Sequence, residues 1–243
     1  MNIDAQKIVD LKTEAKNLRD LGPDGYPEAL ATLNIAIGLA SAALEQASQA
    51  DAKVHDRARQ MAKELADCHG MVGGVQRRWA IEGAVADRPA RLVASCAAYD
   101  AGYRFEWDAH YDIRASYNLV NRLSGRLLMR PDLLQIDDTV DLGQGLDPLN
   151  LPQALAQAVT GIERHLANKG NFWAEADLAL LRLLRGASDA EAAYAAFKSL
   201  SPPAYAYASA LDGLRPLAAT LGGALPALNS AVSVLDLRRR AAR

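Results

Sequence analysis

The chain has 243 residues, a formal net charge of −2, half of its residues hydrophobic, and only two cysteines and three phenylalanines. A charge so near neutral argues against a general nucleic-acid binder, and Cys68 and Cys96 are too few for a disulfide framework. A core built mainly from Ala and Leu favours helices, because these residues head the helix-propensity scale and β-branched residues are sparse.

The opening stretch MNIDAQKIVD lacks the charged-then-apolar pattern of a secretory leader, so a reducing, cytoplasmic setting is expected. A helix pair follows in LKTEAKNLRDLGPDGYPEALATLNIAIGLA, whose second half carries the stripe Leu30, Leu33, Ile37, Ala40, Leu44. The next segment, ADCHGMVGGVQRRWAI at residues 66–81, poses a choice between a metal or thiol site, a phosphate-cradling glycine loop and a packed helix. Its apolar positions Met61, Leu65, Cys68, Val72, Val75 and Trp79 alternate spacings of four and three, which lays them in one helical stripe. Cys68 then acts as a small buried hydrophobe. His69 points elsewhere on the helix and no CxxC or HxxxH partner stands nearby, so no metal site is expected. Gly70, Gly73 and Gly74 are expected to let a neighbouring helix approach closely.

Further along, DIRASYNLVNRLSGRLL reads as a helix. Arg114, Asn118, Asn121, Arg122 and Arg126 share one broad face at spacings of three and four, opposite Ile113, Tyr117, Val120 and Leu127. Arginines and amides on such a face can hold a carboxylate or phosphate through paired donors. Arg77 and Arg78 on the preceding helix are candidates to join them, while a solvated charged face is the competing reading. Residues 130–151 form an acidic insertion. IDDTVDLGQGLDPLNLP superficially resembles a calcium loop, but counted from Asp137 the sixth position is Leu142 and the twelfth is Pro148, where glycine and glutamate are required. A solvated loop, open to docking or proteolysis, is expected there.

The stripe returns at Leu155, Val159, Ile162 and Leu166, and again at Leu225, Leu228, Val232 and Leu235. Breakers stand at Gly22-Pro23-Asp24-Gly25, Asp87-Arg88-Pro89, Arg130-Pro131, Leu151-Pro152, Gly186, Pro202-Pro203 and Gly222-Gly223. About ten helices result, with no sustained strand alternation. The uncharged run at 216–235 has the length of a membrane span, but its prolines, glycines and polar residues read instead as a soluble helix pair at 203–240. That pair is unusually apolar for the end of a helical array, so Leu225, Leu228, Val232 and Leu235 are expected to offer an interface to a partner or to a second copy. The basic Arg238–Arg240 end suits a helix C-terminus.

The helix pairs resemble tetratricopeptide units: the first carries Gly25-Tyr26 at its turn and small Ala29 near the crossing. The second, WAEADLALLRLLRGASDAEAAYAAFKSLSP, has Trp173 early, Ala193 and Phe197 four apart, then Pro202. Residues 1–243 are therefore expected to form a single all-α, tetratricopeptide-like solenoid of antiparallel helix pairs. More narrowly, SYNLVNRLSGRLL, NFWAEADLALLRLL and AAYAAFKSLSPPAYAYASALDGL resemble the TRAFs-binding family over residues 53–221. That family comprises the regulatory region of apoptosis signal-regulating kinases and bacterial relatives found beside caspase-like peptidases. Leu180 departs from the kinase pattern, where an acidic residue stands. The resemblance implies a cytoplasmic regulatory scaffold that binds protein in a setting of antiviral defence, and it implies no catalytic residues.

No GxxxxGK[ST], GxSxG or HExxH motif occurs, and GQG at Gly143 lacks the remainder of a phosphate loop. The expected function is a non-enzymatic adaptor without cofactor, regulating or serving as substrate of a peptidase. The alternative is a sensor that takes an anionic, nucleotide-like ligand between Arg77, Arg78, Arg114, Asn118, Asn121 and Arg122.

Overall fold

The computed structural model describes residues 5–48, 55–165 and 170–241. Within them the chain is all-helical: α1 (Ala5–Arg19), α2 (Tyr26–Ser48), α3 (His55–Glu82), α4 (Arg88–Glu106), α5 (Tyr117–Met129), α6 (Leu151–His165), α7 (Phe172–Leu184), α8 (Ala190–Ala193), α9 (Ala195–Ser199), α10 (Ala204–Leu221) and α11 (Ala227–Ala241). Among the described residues the sole β feature is an isolated antiparallel bridge between Val140 and Leu149.

Each breaker in the sequence marks a helix end. Pro23–Gly25 forms a single 3-10 turn before α2, and Pro89 and Pro152 sit in the first turn of α4 and α6, where a missing N–H costs nothing. Gly186 ends α7 in a left-handed conformation with φ of 94°. Asn171 and Asp189 cap α7 and α8 through their side-chain oxygens. Where one continuous helix was expected to contain Ala193 and Phe197, the chain turns at Tyr194. Its buried ring packs edge-on against Phe197, with centroids 6.1 Å apart.

The chain divides into two compact units, Met1–Gly125 with Gly143–Asp147, and Arg126–Leu142 with Pro148–Arg243. In the first unit α1 packs on α2, α2 on α3 and α3 on α4. One core cluster joins Ile8, Ala36, Ala40, Ala43, Met61, Leu65 and Cys68, and another joins Ala15, Tyr26, Ala29, Leu33 and Val75. The segment Pro23–Ser48 is long and apolar enough to cross a membrane by length and composition, while its alanine-lined side is packed inside the unit. In the second unit α6 packs on α7, α7 on α9, and α10 on α11.

Residues 66–81 belong to the packed helix α3. Cys68 is fully buried between α1 and α2 neighbours, and burial pushes its thiol up to about 12. Both cysteines are buried thiols outside any disulfide, so a thiol reagent should label the native protein far more slowly than the denatured one. Rapid labelling of Cys68 in native buffer would show that this region opens. Close approach accounts for two of the three glycines: a Cβ at Gly70 would lie 2.8 Å from the Tyr117 ring, and one at Gly73 would lie 2.8 Å from the Tyr99 ring.

The C-terminal expectation requires correction. Leu228 and Leu235 are fully buried together with Ala231, while Leu225 and Val232 are half-buried, so this stripe is core of the second unit and no open interface. The outward side of α11 shows Asn229, Ser230 and Ser233, with Leu237 the exposed apolar residue. It has the polar outer face of an ordinary terminal helix. Leu166 and the side chains of Arg238, Arg239 and Arg240 lie outside the described residues.

Candidate functional site

Of the polar residues picked out on α5, Asn118, Asn121 and Arg122 do cluster, but inside the first unit; Arg126, fully buried, falls in the second. The helix starts at Tyr117, later than Asp112, because Asp112 and Arg114 adopt left-handed φ values of 47° and 56°. Arg59 holds this loop by donating to the carbonyls of Tyr111 and Asp112 at 2.9 and 3.1 Å, and the Arg114 N–H returns to the Glu106 carbonyl at 2.8 Å. Two non-glycine residues in that conformation are tolerated because these bonds fix them.

From residue 118 to 128 every position of α5 is buried. Asn118 is fully enclosed: its amide donates 3.0 Å to the Ala66 carbonyl and 2.8 Å to the Glu106 carboxylate, which also accepts from the Asn118 backbone N–H at 3.1 Å. Glu106, itself buried at the end of α4, thus caps the positive N-terminus of α5. Asn121 accepts from Arg77 at 2.5 Å and donates to the Tyr117 carbonyl at 2.8 Å. Arg122 pairs with Asp100 through Nε at 2.9 Å, with both side chains under a tenth exposed, and its guanidinium lies 4.1 Å from the centre of the Tyr103 ring.

The expected open groove is therefore corrected. Asn118 and Arg122 lie inside because α4 supplies the buried carboxylates Glu106 and Asp100 that satisfy them, and Asn121 because Arg77 of α3 donates to it, which a helical-face argument does not see. Arg78 is half-buried, and Arg114 lies outside the helix, paired with Asp112 at 2.9 Å and stacked 5.4 Å from the Trp107 ring. Tyr117, expected on the apolar side, is 45% exposed.

A second set of carboxylate contacts was missed. Gly143–Asp147, part of the acidic insertion, lies on the first unit as a short strap. Leu146 is buried; Asp147 meets Arg104 at 2.6 Å and Arg122 at 3.8 Å, and its N–H donates to Asp100 at 3.3 Å. An exposed pair such as Arg104–Asp147 contributes only about 0–1 kcal/mol. The rest of the insertion opens with a 3-10 turn, Pro131–Gln135, and is irregular apart from the Val140–Leu149 bridge.

The second unit carries an exposed aromatic patch. Trp173 in the first turn of α7 and Tyr205 in the first turn of α10 are 40% and 64% exposed, with ring centroids 6.2 Å apart. Phe172 lies 4.9 Å from Trp173. Asn171 fixes the start of α7 by accepting from the Trp173 and Ala174 N–H groups. Trp173 was legible only as a repeat residue, and nothing local marked Tyr205 as its neighbour.

Among the described residues no group of three or more His, Cys, Asp or Glu side chains is placed to hold a metal ion. His69 is stacked against Phe105 at 6.1 Å, and burial lowers its pKa. Compared with protein-family models, curated proteins and solved structures, the chain matches none.

Proposed function

We infer that the chain is a non-catalytic helical adaptor, built of tetratricopeptide-like helix pairs, that binds a protein partner. The observation that carries this reading is the exposed Trp173–Tyr205 pair backed by Phe172. Aromatic side chains displayed on rigid helix ends bring large apolar area and little rotamer entropy, and tryptophan and tyrosine dominate the energetics of protein interfaces. The likeness of NFWAEADLALLRLL to TRAFs-binding sequences supports the same reading and points to a peptidase or other signalling protein as the partner class.

The test is affinity capture with the wild-type chain and a Trp173→Ala, Tyr205→Ala double variant, quantified by mass spectrometry, beside a thermal-shift screen of nucleotides. A partner held by the wild type and released by the variant, with at least about a tenfold loss of affinity from removing interface aromatics, supports the adaptor. A nucleotide shift with unchanged protein capture would replace it with the small-ligand sensor.

A further inference from the structure

We propose that Arg104 and Arg122, with Tyr103 beneath, form a carboxylate-binding cradle that the chain's own Asp147 occupies, and that an acidic peptide segment of a protein partner takes the cradle when the strap lifts.

The cradle is built before the strap arrives. Arg122 is oriented by Asp100 at 2.9 Å and by the Tyr103 ring at 4.1 Å, so its outer nitrogen faces Asp147 at 3.8 Å without depending on it for position. Arg104, one residue beyond Tyr103 on α4, supplies the second cation at 2.6 Å and is 62% exposed, which leaves it free to follow a different carboxylate. Two guanidinium groups converging on one carboxylate are a geometry that arginine serves better than lysine, because its donors are planar and paired.

The strap is held lightly. Gly143, Gln144 and Gly145 run through three consecutive left-handed conformations, with φ of 66°, 57° and 77°; the segment meets the unit through Leu146, the Asp147 carboxylate and a long N–H bond to Asp100, and the paired backbone bonds of Val140 and Leu149, at 3.0 Å, close the loop at its base. A short loop outside regular helix, whose backbone bonds are made within itself and at its base, lifts from the surface at lower free-energy cost than the helices under it unfold. The strap's sequence also states the ligand chemistry. Residues 136–150 hold Asp137, Asp138, Asp141 and Asp147 and no basic residue, so the occupant seated in the structure is itself an acidic peptide. This site is separate from the aromatic patch, and either can fail without the other.

The experiment uses the full chain as wild type, Asp147→Asn and Asp147→Asn with Arg104→Gln, and as probe a fluorescein-labelled peptide spelling residues 136–150. A tethered carboxylate competes at an effective concentration on the order of millimolar. The wild type should therefore bind the peptide at least tenfold more weakly than the Asp147→Asn chain, with the Arg104→Gln addition restoring weak binding. A peptide carrying asparagine in place of Asp147 should lose the same tenfold. Hydrogen exchange at residues 145–147 should quicken in Asp147→Asn while α4 stays protected, which reports strap release without any ligand. Equal peptide binding by wild type and Asp147→Asn, or exchange at 145–147 that the substitution leaves unchanged, overturns the proposal.

Discussion

Replacing Asp100 with alanine should cost about 3–5 kcal/mol of unfolding free energy, because it strands a buried arginine without its carboxylate. Asp100 and Arg122 are 2% and 8% exposed and bonded at 2.9 Å, and the Asp147 carboxylate, at 3.8 Å from Arg122, is too distant to replace a direct charge-assisted bond. The loss should fall on the urea midpoint with little change in slope, since the unfolded surface is the same. A double replacement, Asp100→Leu with Arg122→Met, should recover most of it. Removing both charges removes the desolvation cost as well, and comparable buried pairs exchanged for apolar residues come out neutral or better. If Asp100→Ala instead shifts stability by less than ~1 kcal/mol, the range of an exposed pair, water reaches Arg122 and the enclosed reading of α5 fails.

That pair also shows where sequence reading stops. Helix ends were legible because proline, glycine and capping side chains act locally: Gly22-Pro23-Asp24-Gly25, Pro202-Pro203 and Gly222-Gly223 each mark a boundary the structure keeps. Stripes were legible in part. On α2 the buried line is Ala29, Leu33, Ala36, Ala40, Ala43 and Ala47, while Leu30, Ile37 and Leu44 are only half-buried. Small residues mark the closest helix contact, and a hydrophobicity pattern weights the larger side chains beside them. On α5 the rule inverted. Asn118 and Arg122 look outward-facing by type, and only Asp100 and Glu106, which continue the spacing of buried Leu92, Cys96 and Tyr99 on α4, show that a polar interior is being satisfied. A carboxylate on an otherwise apolar stripe was the available signal, and it needs a partner from a helix that sequence does not place. The aromatic patch is less legible still, since Trp173 and Tyr205 meet only through the packing of the second unit.

The same chemical change at two glycines should give opposite signs. At Gly102 an added Cβ would sit 2.5 Å from the Asn118 side-chain carbon and nitrogen and 2.6 Å from its oxygen. Asn118 has no room to yield, because its amide is held by Ala66 and Glu106 at 3.0 and 2.8 Å and it is fully enclosed. Gly102→Ala must therefore displace α4 from α5 or break the bonds to Glu106; overpacking of about 1–3 kcal/mol and a charge-assisted bond of about 1.5–3 kcal/mol make a loss near 3 kcal/mol or more the expected result. Gly38, inside α2, is exposed with nothing within 4 Å of the added carbon. There the substitution only removes the backbone freedom that glycine keeps in the unfolded chain, so Gly38→Ala should stabilise by about 0.5–1 kcal/mol. Thermal unfolding of the two single variants beside the wild type reads both signs at once. A Gly102→Ala protein as stable as the wild type would mean that α4 and α5 are not locked through Asn118, and the polar interior described for the first unit would have to be rebuilt around a looser contact.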